Sequence, residues 1–145
     1  ADNLVMASLD RLLTGGLISP SKKADVVSRW ISALGVKIGL PEDPIRTLSG
    51  GNQQRVAIAK WLAIGPKILI LDAPTVGVDV GARAGIFEIV RKLAAEGLSI
   101  IVISDEPPEV YFNTDRIIHM VEGRFHATHD PRHVSLTELE SAIYA

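Results

Sequence analysis

Apolar residues recur at helical spacing in four parts of the chain, and this pattern predicts four helices. The first lies within residues 4–13, ahead of a Gly-Gly pair, and the second runs from about Lys22 to Leu34. The third spans Asn52 to Ile64, and the fourth spans Gly81 to Ala95. In the second and fourth helices, the positions expected to face the core are Val26, Val27, Trp30, Ile31, Leu34, Ile86, Ile89, Val90 and Leu93.

The ends of these helices carry residues that favour helix boundaries. Gly35 and Gly97 follow the second and fourth helices, where a glycine readily adopts the left-handed conformation that ends a helix. Gly65-Pro66 stops the third helix, and Asp79 can cap the start of the fourth. The segment Ser135–Glu138 has the spacing of a capping box and predicts a short last helix.

Two largely apolar segments, Lys67–Asp72 and Leu98–Ile103, have the length and flanks of strands. Because they lack polar alternation, we expect each strand to be buried on both faces of a parallel sheet. Arg116–Val121 and Arg124–Thr128 alternate more and predict a more exposed hairpin around Glu122-Gly123. Together the elements predict an α/β fold with a mainly parallel sheet.

Residues 48–54 read Leu-Ser-Gly-Gly-Asn-Gln-Gln and open the third predicted helix. The N–H groups at a helix N-terminus and the positive end of the helix dipole suit a phosphate group. Gly50 and Gly51 would let the backbone approach a bulky anion, and Ser49 would add a hydroxyl donor. The alternative is a serine N-cap followed by glycines in an ordinary turn.

Asp72 lies at the carboxyl end of the first predicted strand, where open α/β sheets bind ligands. A carboxylate at such a position can hold Mg²⁺ through water. The alternative is a solvated aspartate at a strand end without a ligand.

The composition excludes several classes of protein. A net charge of −2 over 145 residues gives no basic field of the kind that binds nucleic acid. The apolar segments are far shorter than the ~20 residues that span a bilayer, and the chain does not open with a signal-peptide pattern. There is no cysteine. We expect His119, His126, His129 and His133 to be solvated surface residues rather than zinc ligands, because none forms a helical i,i+4 pair.

Several spaced segments resemble the motifs of ATP-binding cassette (ABC) ATPases. Leu48–Gln54 resembles the signature motif, with Asn52 where the commonest form has glutamine. Ile68–Asp72 resembles Walker B, Gly77–Val80 the D-loop, and Ile101–Asp105 occupies the position of the switch loop. Because several motifs occur in the family's order, the resemblance is specific.

The similarity is closer to one branch of the family. Arg46–Ala63 and Pro74–Ala82 resemble the second cassette of monosaccharide importers of the ribose, galactose and xylose type. Three shorter segments continue the resemblance, which covers roughly residues 15–130: Pro108-Glu109-Val110, Asp115-Arg116-Ile117 and Glu122-Gly123-Arg124.

The resemblance implies a partial P-loop NTPase fold that uses ATP and Mg²⁺. In the family two cassettes sandwich two ATP molecules, and the signature of one closes over nucleotide held by the other. The positions that the resemblance assigns to nucleotide are Ser49, Gly50, Gly51, Asn52, Gln53 and Asp79. Ser49, Gly50 and Gly51 would contact phosphate in trans, Asp72 would help to hold Mg²⁺ in cis, and Asp79 would communicate across the dimer.

The resemblance also implies partners and a location. The parent protein would couple ATP hydrolysis to monosaccharide uptake at the cytoplasmic face of a bacterial membrane. Its partners would be a second cassette, transmembrane permease subunits and, indirectly, a sugar-binding protein, but no nucleic acid.

Three departures from the family pattern affect the chemistry. The chain contains no Gly-x-x-x-x-Gly-Lys-Ser/Thr segment, so it lacks the Walker A loop that cradles ATP phosphates. If the P-loop strand is absent as well, we expect apolar groups along Ile68–Leu71 or Leu98–Ile103 to be exposed. Ala73 stands where the family usually has the general-base glutamate, whose loss typically costs about 10²–10⁴-fold in rate. Asp105 stands at the switch position, where a carboxylate would oppose the γ-phosphate charge. We therefore expect this chain alone to be inactive as an ATPase.

The expected organisation is the second half of a cassette. Residues 1–47 would belong to the helical subdomain, 48–66 to the signature and its helix, 67–130 to the nucleotide-binding core, and 131–145 to a C-terminal helix. The open alternatives are a catalytically degenerate cassette that acts as a regulatory or structural module, and a truncated chain without independent activity. A DNA-repair ABC ATPase would need long coiled coils and a DNA-binding surface, which the sequence does not show.

Overall fold

The computed structural model describes residues 1–144 and forms two compact units. The first unit contains residues 1–69 and 75–100, and the second contains residues 70–74 and the chain from residue 101 onward. The helices are α1 (Asp2–Val5), α2 (Pro20–Ala33), α3 (Gly50–Leu62), α4 (Val80–Ala95), α5 (Pro107–Asn113) and α6 (Leu136–Tyr144). The strands are β1 (Leu13–Thr14), β2 (Leu17–Ile18), β3 (Ile68–Asp72), β4 (Ser99–Ile103), β5 (Ile117–Val121) and β6 (Arg124–His129).

The start of the first unit is less regular than its apolar spacing predicts. After α1 the chain continues as a 3₁₀ helix over Met6–Leu12, with a kink at Ser8. Leu13 then enters β1, which pairs with β2 in a small antiparallel hairpin that the apolar pattern does not predict. Gly15 and Gly16 both adopt positive φ, which allows the chain to reverse within two residues.

The second predicted helix is confirmed, although α2 begins two residues earlier than expected, at Pro20. Its C-terminus forms a Schellman motif: Gly35 N–H donates to Ser32 O (3.3 Å), and Val36 N–H donates to Ile31 O (2.9 Å). The φ of Gly35 is +59°, as its position after the helix predicts.

α4 follows its predicted boundaries closely. Asp79 is its N-cap, and Gly97 ends it in a second Schellman motif. The four positions that the periodicity predicts to face the core are all buried: Ile86, Ile89, Val90 and Leu93. Phe87 is buried as well, although it was not predicted.

β3 and β4 are hydrogen-bonded neighbours with α4 between them in sequence, the crossover arrangement of a parallel pair. The prediction that both faces of these strands are buried is wrong, and the exposure expected in the absence of the P-loop strand is found instead. On β3, Leu69 and Leu71 are buried, but the alternate residues face solvent, because β3 and β4 pair only with each other in the described residues. The exposed isoleucines of the pair are Ile68 (59%), Ile70 (61%), Ile101 (50%) and Ile103 (49%).

The second unit contains the predicted β5–β6 hairpin, and its turn residues Glu122 and Gly123 both have positive φ, as a tight type I′ turn requires. The predicted capping box of α6 also forms: Ser135 N–H donates to Glu138 Oε2 (2.7 Å), and Glu138 N–H donates to Ser135 Oγ (3.3 Å). α5 was not predicted, although Pro107-Pro108 favours a helix start. None of the helices in residues 1–144 is long and apolar enough to cross a bilayer.

Candidate functional site

Ser49 is the N-cap of α3, which begins at Gly50, two residues earlier than predicted. The first intrahelical hydrogen bond runs from Gln53 N–H to Ser49 O (2.9 Å). The N–H groups of Gly50, Gly51 and Asn52 therefore have no acceptor within the helix. The Ser49 side chain does not cap them either. Ser49 is therefore the N-cap by position, as the alternative interpretation expects, but its side chain leaves the N–H groups of the first turn without a cap.

The polar side chains of the signature bond to nearby groups. Asn52 Nδ2 donates to Ser49 Oγ (3.0 Å), and Asn52 Oδ1 accepts from the backbone N–H of Lys37 (2.8 Å). Gln53 Nε2 donates to Leu48 O (2.8 Å), which turns its amide back toward the chain. Ser49 is exposed, whereas Asn52 and Gln53 are half-buried.

The two signature glycines lie against the segment that resembles the D-loop and against α4. A Cβ built on Gly50 would lie 3.1 Å from the carbonyl oxygen of Gly77. A Cβ built on Gly51 would lie 2.5 Å from the Cβ of Ala82, closer than real Cβ contacts. Glycine is therefore required here by close packing within the chain, in addition to any approach of an anion.

Asp79 lies beside the same helix start. Its Oδ1 accepts a hydrogen bond from Ala82 N–H (2.9 Å), so the carboxylate caps α4, as the sequence predicts. The side chain remains exposed.

Of the predicted site residues, Ser49, Gly51, Asn52 and Asp79 line a cleft with about 240 Å³ of space in the first unit, whereas Gly50 and Gln53 do not line it. The two cations of the lining, Lys37 and Arg55, were not anticipated from the sequence. Arg55 Nη1 donates to Leu34 O (2.6 Å) and Gly35 O (3.2 Å), which fixes this cation at the C-terminus of α2. Two cations against one carboxylate, together with free N–H groups, make the cleft suited to an anion. Its lining is Gly35, Lys37, Ser49, Gly51, Asn52, Arg55, Asp79, Gly81 and Ala82.

The second unit holds the other predicted site residues. Asp72 ends β3, and Ala73 N–H donates to Ile103 O (2.9 Å) at the adjacent end of β4. Asp105 follows Ile103 by two residues, so all three predicted positions come to the same end of the strand pair. Ala73 has φ +46°, in the left-handed region that costs a non-glycine residue about 1–2 kcal/mol.

A buried carboxylate near this strand end was missed. Glu109 is 5% exposed and accepts a hydrogen bond from Ser104 Oγ (2.7 Å), while Ser104 Oγ also accepts from Glu106 N–H (3.1 Å). Ser104, which directly precedes Asp105, therefore holds the start of α5 through these two bonds. The Pro-Pro pair at the start of α5 is the sequence feature that could have revealed the helix that carries Glu109.

The expectation that all four histidines are solvated is wrong for two of them. His119 and His129 are half-buried, and His119 Nδ1 and His129 Nε2 are buried without a hydrogen-bond partner in the described residues. The ring of His119 lies 5.2 Å from that of His126 and 6.3 Å from that of His129. Within residues 1–144, no group of three or more His, Asp or Glu side chains is arranged to hold a metal ion.

The crossover strand pair, the glycine-rich helix start and the aspartate at a strand end are features of part of an α/β cassette fold. The family described as "ABC transporter" matches residues 2–76, about half of the chain. The chain therefore belongs to the ABC transporter family, and its predicted fold class is confirmed.

Named relatives agree with this assignment. The chain is 49% identical over 126 residues to the ribose import ATP-binding protein RbsA of Geobacillus kaustophilus, covering 87% of this chain and 26% of that protein. It is 46% identical over 123 residues to RbsA of Bacillus subtilis, covering 85% and 25%. It thus spans about a quarter of the length of these relatives.

A solved structure shares the fold. The dimeric structure of MJ0796, a bacterial ABC transporter cassette, is 26% identical with a TM-score of 0.73, and the match covers 91% of this chain and 57% of that one.

Proposed function

We propose that this chain is the C-terminal part of an ATP-binding subunit of an ABC importer, in which ATP binding and hydrolysis drive the uptake of a monosaccharide. The single observation that carries the proposal is the uncapped start of α3, where Ser49 and free N–H groups border a cleft with two cations. The names of the ribose import relatives support the transport role.

In this proposal the α3 start receives the terminal phosphate of ATP bound by a second cassette. The Ser49 hydroxyl and the N–H groups of Gly50 and Gly51 would donate to phosphate oxygens, and Lys37 and Arg55 would balance the negative charge. Asp79 would report closure across the dimer, since it caps α4 beside this cleft. The dimeric structure of the related MJ0796 cassette supports this arrangement. The cassettes would contact the permease on the cytoplasmic side of the membrane, and an external sugar-binding protein would complete the assembly on the other side.

Asp72 fits the role of a Mg²⁺ ligand. Its carboxylate is exposed at a strand end, and no hydrogen bond or ion pair within residues 1–144 occupies it. When bound, Mg²⁺ neutralises charge on the phosphates. Ala73 carries only a methyl group, so it cannot accept a proton from water. Hydrolysis in a complete cassette with this sequence would therefore be slow.

The second candidate is a catalytically degenerate cassette that binds ATP and acts as a regulatory or structural module. Ala73 and Asp105 favour it, because neither can perform the chemistry that the family places at its position. The two candidates share the nucleotide site and differ in turnover.

The test compares Ser49→Ala with Ser28→Ala in the longer protein that carries this segment. Ser28 is an exposed serine on α2 outside the cleft, so it controls for loss of a hydroxyl. Because a hydrogen bond to a charged group contributes about 1.5–3 kcal/mol, Ser49→Ala should weaken ATP-dependent dimerisation by about tenfold or more. Equal dimerisation of both variants would contradict the phosphate role of Ser49.

The isolated chain provides a separate test. Because it has no Walker A loop, calorimetric titration with Mg-ATP should give only weak binding. Micromolar affinity for this chain alone would contradict the assignment of most phosphate contacts to a segment or partner outside it.

A further inference from the structure

Asn52 uses both ends of its side-chain amide within the first unit. Its Oδ1 accepts from Lys37 N–H at 2.8 Å, and its Nδ2 donates to Ser49 Oγ at 3.0 Å. The orientation of the amide follows from chemistry, because a backbone N–H can only donate and must face the oxygen. The NH₂ group therefore faces Ser49.

This orientation determines what the Ser49 hydroxyl can do. A hydroxyl has one hydrogen and two lone pairs, and the bond from Asn52 occupies a lone pair. The hydrogen of Ser49 must point elsewhere, and it has no acceptor among the hydrogen bonds of residues 1–144. Ser49 is exposed at the cleft, so this hydrogen is available to a ligand.

The arrangement differs from an ordinary capping box. There, the N-cap hydroxyl accepts from the N–H of the third helical residue, whose side chain accepts from the N-cap N–H. Here the third helical residue is Asn52, and its side chain donates to the hydroxyl instead. The backbone N–H groups of the first turn therefore remain open, and the serine presents a donor.

We propose that Asn52 is a positioning residue, which holds the Ser49 oxygen as an acceptor so that the Ser49 hydroxyl hydrogen donates to a phosphate oxygen. The inference rests on the proposed nucleotide role of Ser49 and assigns Asn52 an effect that passes through that hydroxyl. The bond from Lys37 N–H fixes the orientation of the amide that acts on this hydroxyl.

Asn52→Asp is the most informative substitution. An aspartate keeps an oxygen for the Lys37 N–H but cannot donate to Ser49, so the serine would instead donate its hydrogen to the carboxylate. The Ser49 hydrogen would then no longer be available to donate to a ligand. Asn52→Ala removes both bonds without adding charge. Asn3→Asp is the matched control for one added negative charge, because Asn3 is an exposed residue of α1 outside the cleft.

The experiment measures the ATP concentration for half-maximal dimerisation of the longer protein, with thermal melting as a check of folding. The variants are Ser49→Ala, Asn52→Ala, Asn52→Asp, Asn3→Asp and the double variant Ser49→Ala with Asn52→Ala. We expect each single change at the two signature positions to raise this concentration about tenfold or more. Asn3→Asp should change it by less than about twofold.

The double variant distinguishes positioning from a general structural role. If Asn52 acts through the hydroxyl, then Asn52→Ala should have little further effect once Ser49 is alanine. Effects that multiply in the double variant would overturn the inference. An Asn52→Asp variant that binds ATP like the Asn3→Asp control would overturn it as well. Both results leave the proposed function intact, whereas wild-type protein that does not bind ATP would overturn the proposed function and this inference together.

Discussion

Replacing Gly51 by alanine should destabilise the chain, although the same change in most helices is stabilising. Gly51 lies in the first turn of α3 and is absent from the positions with positive φ. On the backbone alone, a Gly-to-Ala change in a helix should therefore stabilise by about 0.4–1 kcal/mol. The new methyl group, however, would lie 2.5 Å from the Cβ of Ala82 on α4.

The size of the effect follows from these opposing contributions. Adding a methyl group to a closely packed contact costs about 1–3 kcal/mol. Subtracting the helix contribution leaves a net destabilisation of about 0–2.6 kcal/mol, with a midpoint of about 1.3 kcal/mol. Ala82→Gly removes the opposing methyl, after which the nearest atom to the new Cβ is Ala82 Cα at 3.6 Å, an ordinary contact. In that background Gly51→Ala should stabilise by about 0.4–1 kcal/mol.

The assay is urea unfolding of the wild type, both single variants and the double variant, with the free energy of unfolding extrapolated to water. Ala84→Gly, at an exposed position on the same helix, measures the cost of a glycine in α4 without the contact. The decisive result is the sign of the Gly51→Ala effect in the two backgrounds. Equal destabilisation with and without the Ala82 methyl would refute the argument, because the contact would not be the cause.

Three further outcomes test other parts of the molecule. In the longer protein, Ala73→Glu combined with Asp105→His should raise ATP turnover by up to about 10²–10⁴-fold, and unchanged turnover with ATP still bound would mean that residue 73 is not the catalytic position. We expect the isolated chain to self-associate through its apolar sheet face, so replacing the half-exposed Ile103 by lysine should reduce association in light scattering. A wild-type chain that is a monodisperse, cooperatively melting monomer would contradict this. Hydrogen bonds from Ser135 lower the pKa of Glu138. The α6 cap should therefore stabilise the helix at neutral pH. This stabilisation should be lost as the pH falls from about 4.3, the pKa of an unperturbed glutamate, through the lower pKa of Glu138 in the folded chain. Amide exchange of α6 against pH measures this loss. Ser135→Ala should reduce the pH dependence, because only the backbone N–H of residue 135 would still donate to Glu138, and Glu138→Gln should remove it.

The features that the sequence predicted well are those decided by neighbours in the chain. Gly35 and Gly97 end helices because each supplies the left-handed residue that a Schellman motif requires. Asp79 caps α4, and Ser135 with Glu138 caps α6, through bonds that span three residues. The local pattern was sufficient for these elements because their stabilising contacts are themselves local.

The features that the sequence did not predict depend on contacts between distant parts of the chain. Lys37 reaches the cleft because its N–H bonds to Asn52, fifteen residues away, and Arg55 does so while bonding to Leu34, twenty-one residues away. No periodicity within a segment reveals such pairs. The isoleucines of β3 were predicted to be buried because the segment is apolar throughout. The prediction failed because an apolar segment does not indicate how many strands or helices cover it.

The predicted site residues divide by the step of the reaction that they would affect. Ser49 would contact phosphate both in bound ATP and in the transition state, so its loss should mainly lower affinity. Residue 73 would meet the attacking water only as the transition state forms, so its identity should mainly change turnover. With an open α3 start and a methyl group at Ala73, the chain would combine the proposed anion site with a missing base. That combination suits a cassette that holds ATP and closes without rapid hydrolysis. Measuring affinity and turnover separately in one set of variants therefore distinguishes a slow importer ATPase from a regulatory cassette.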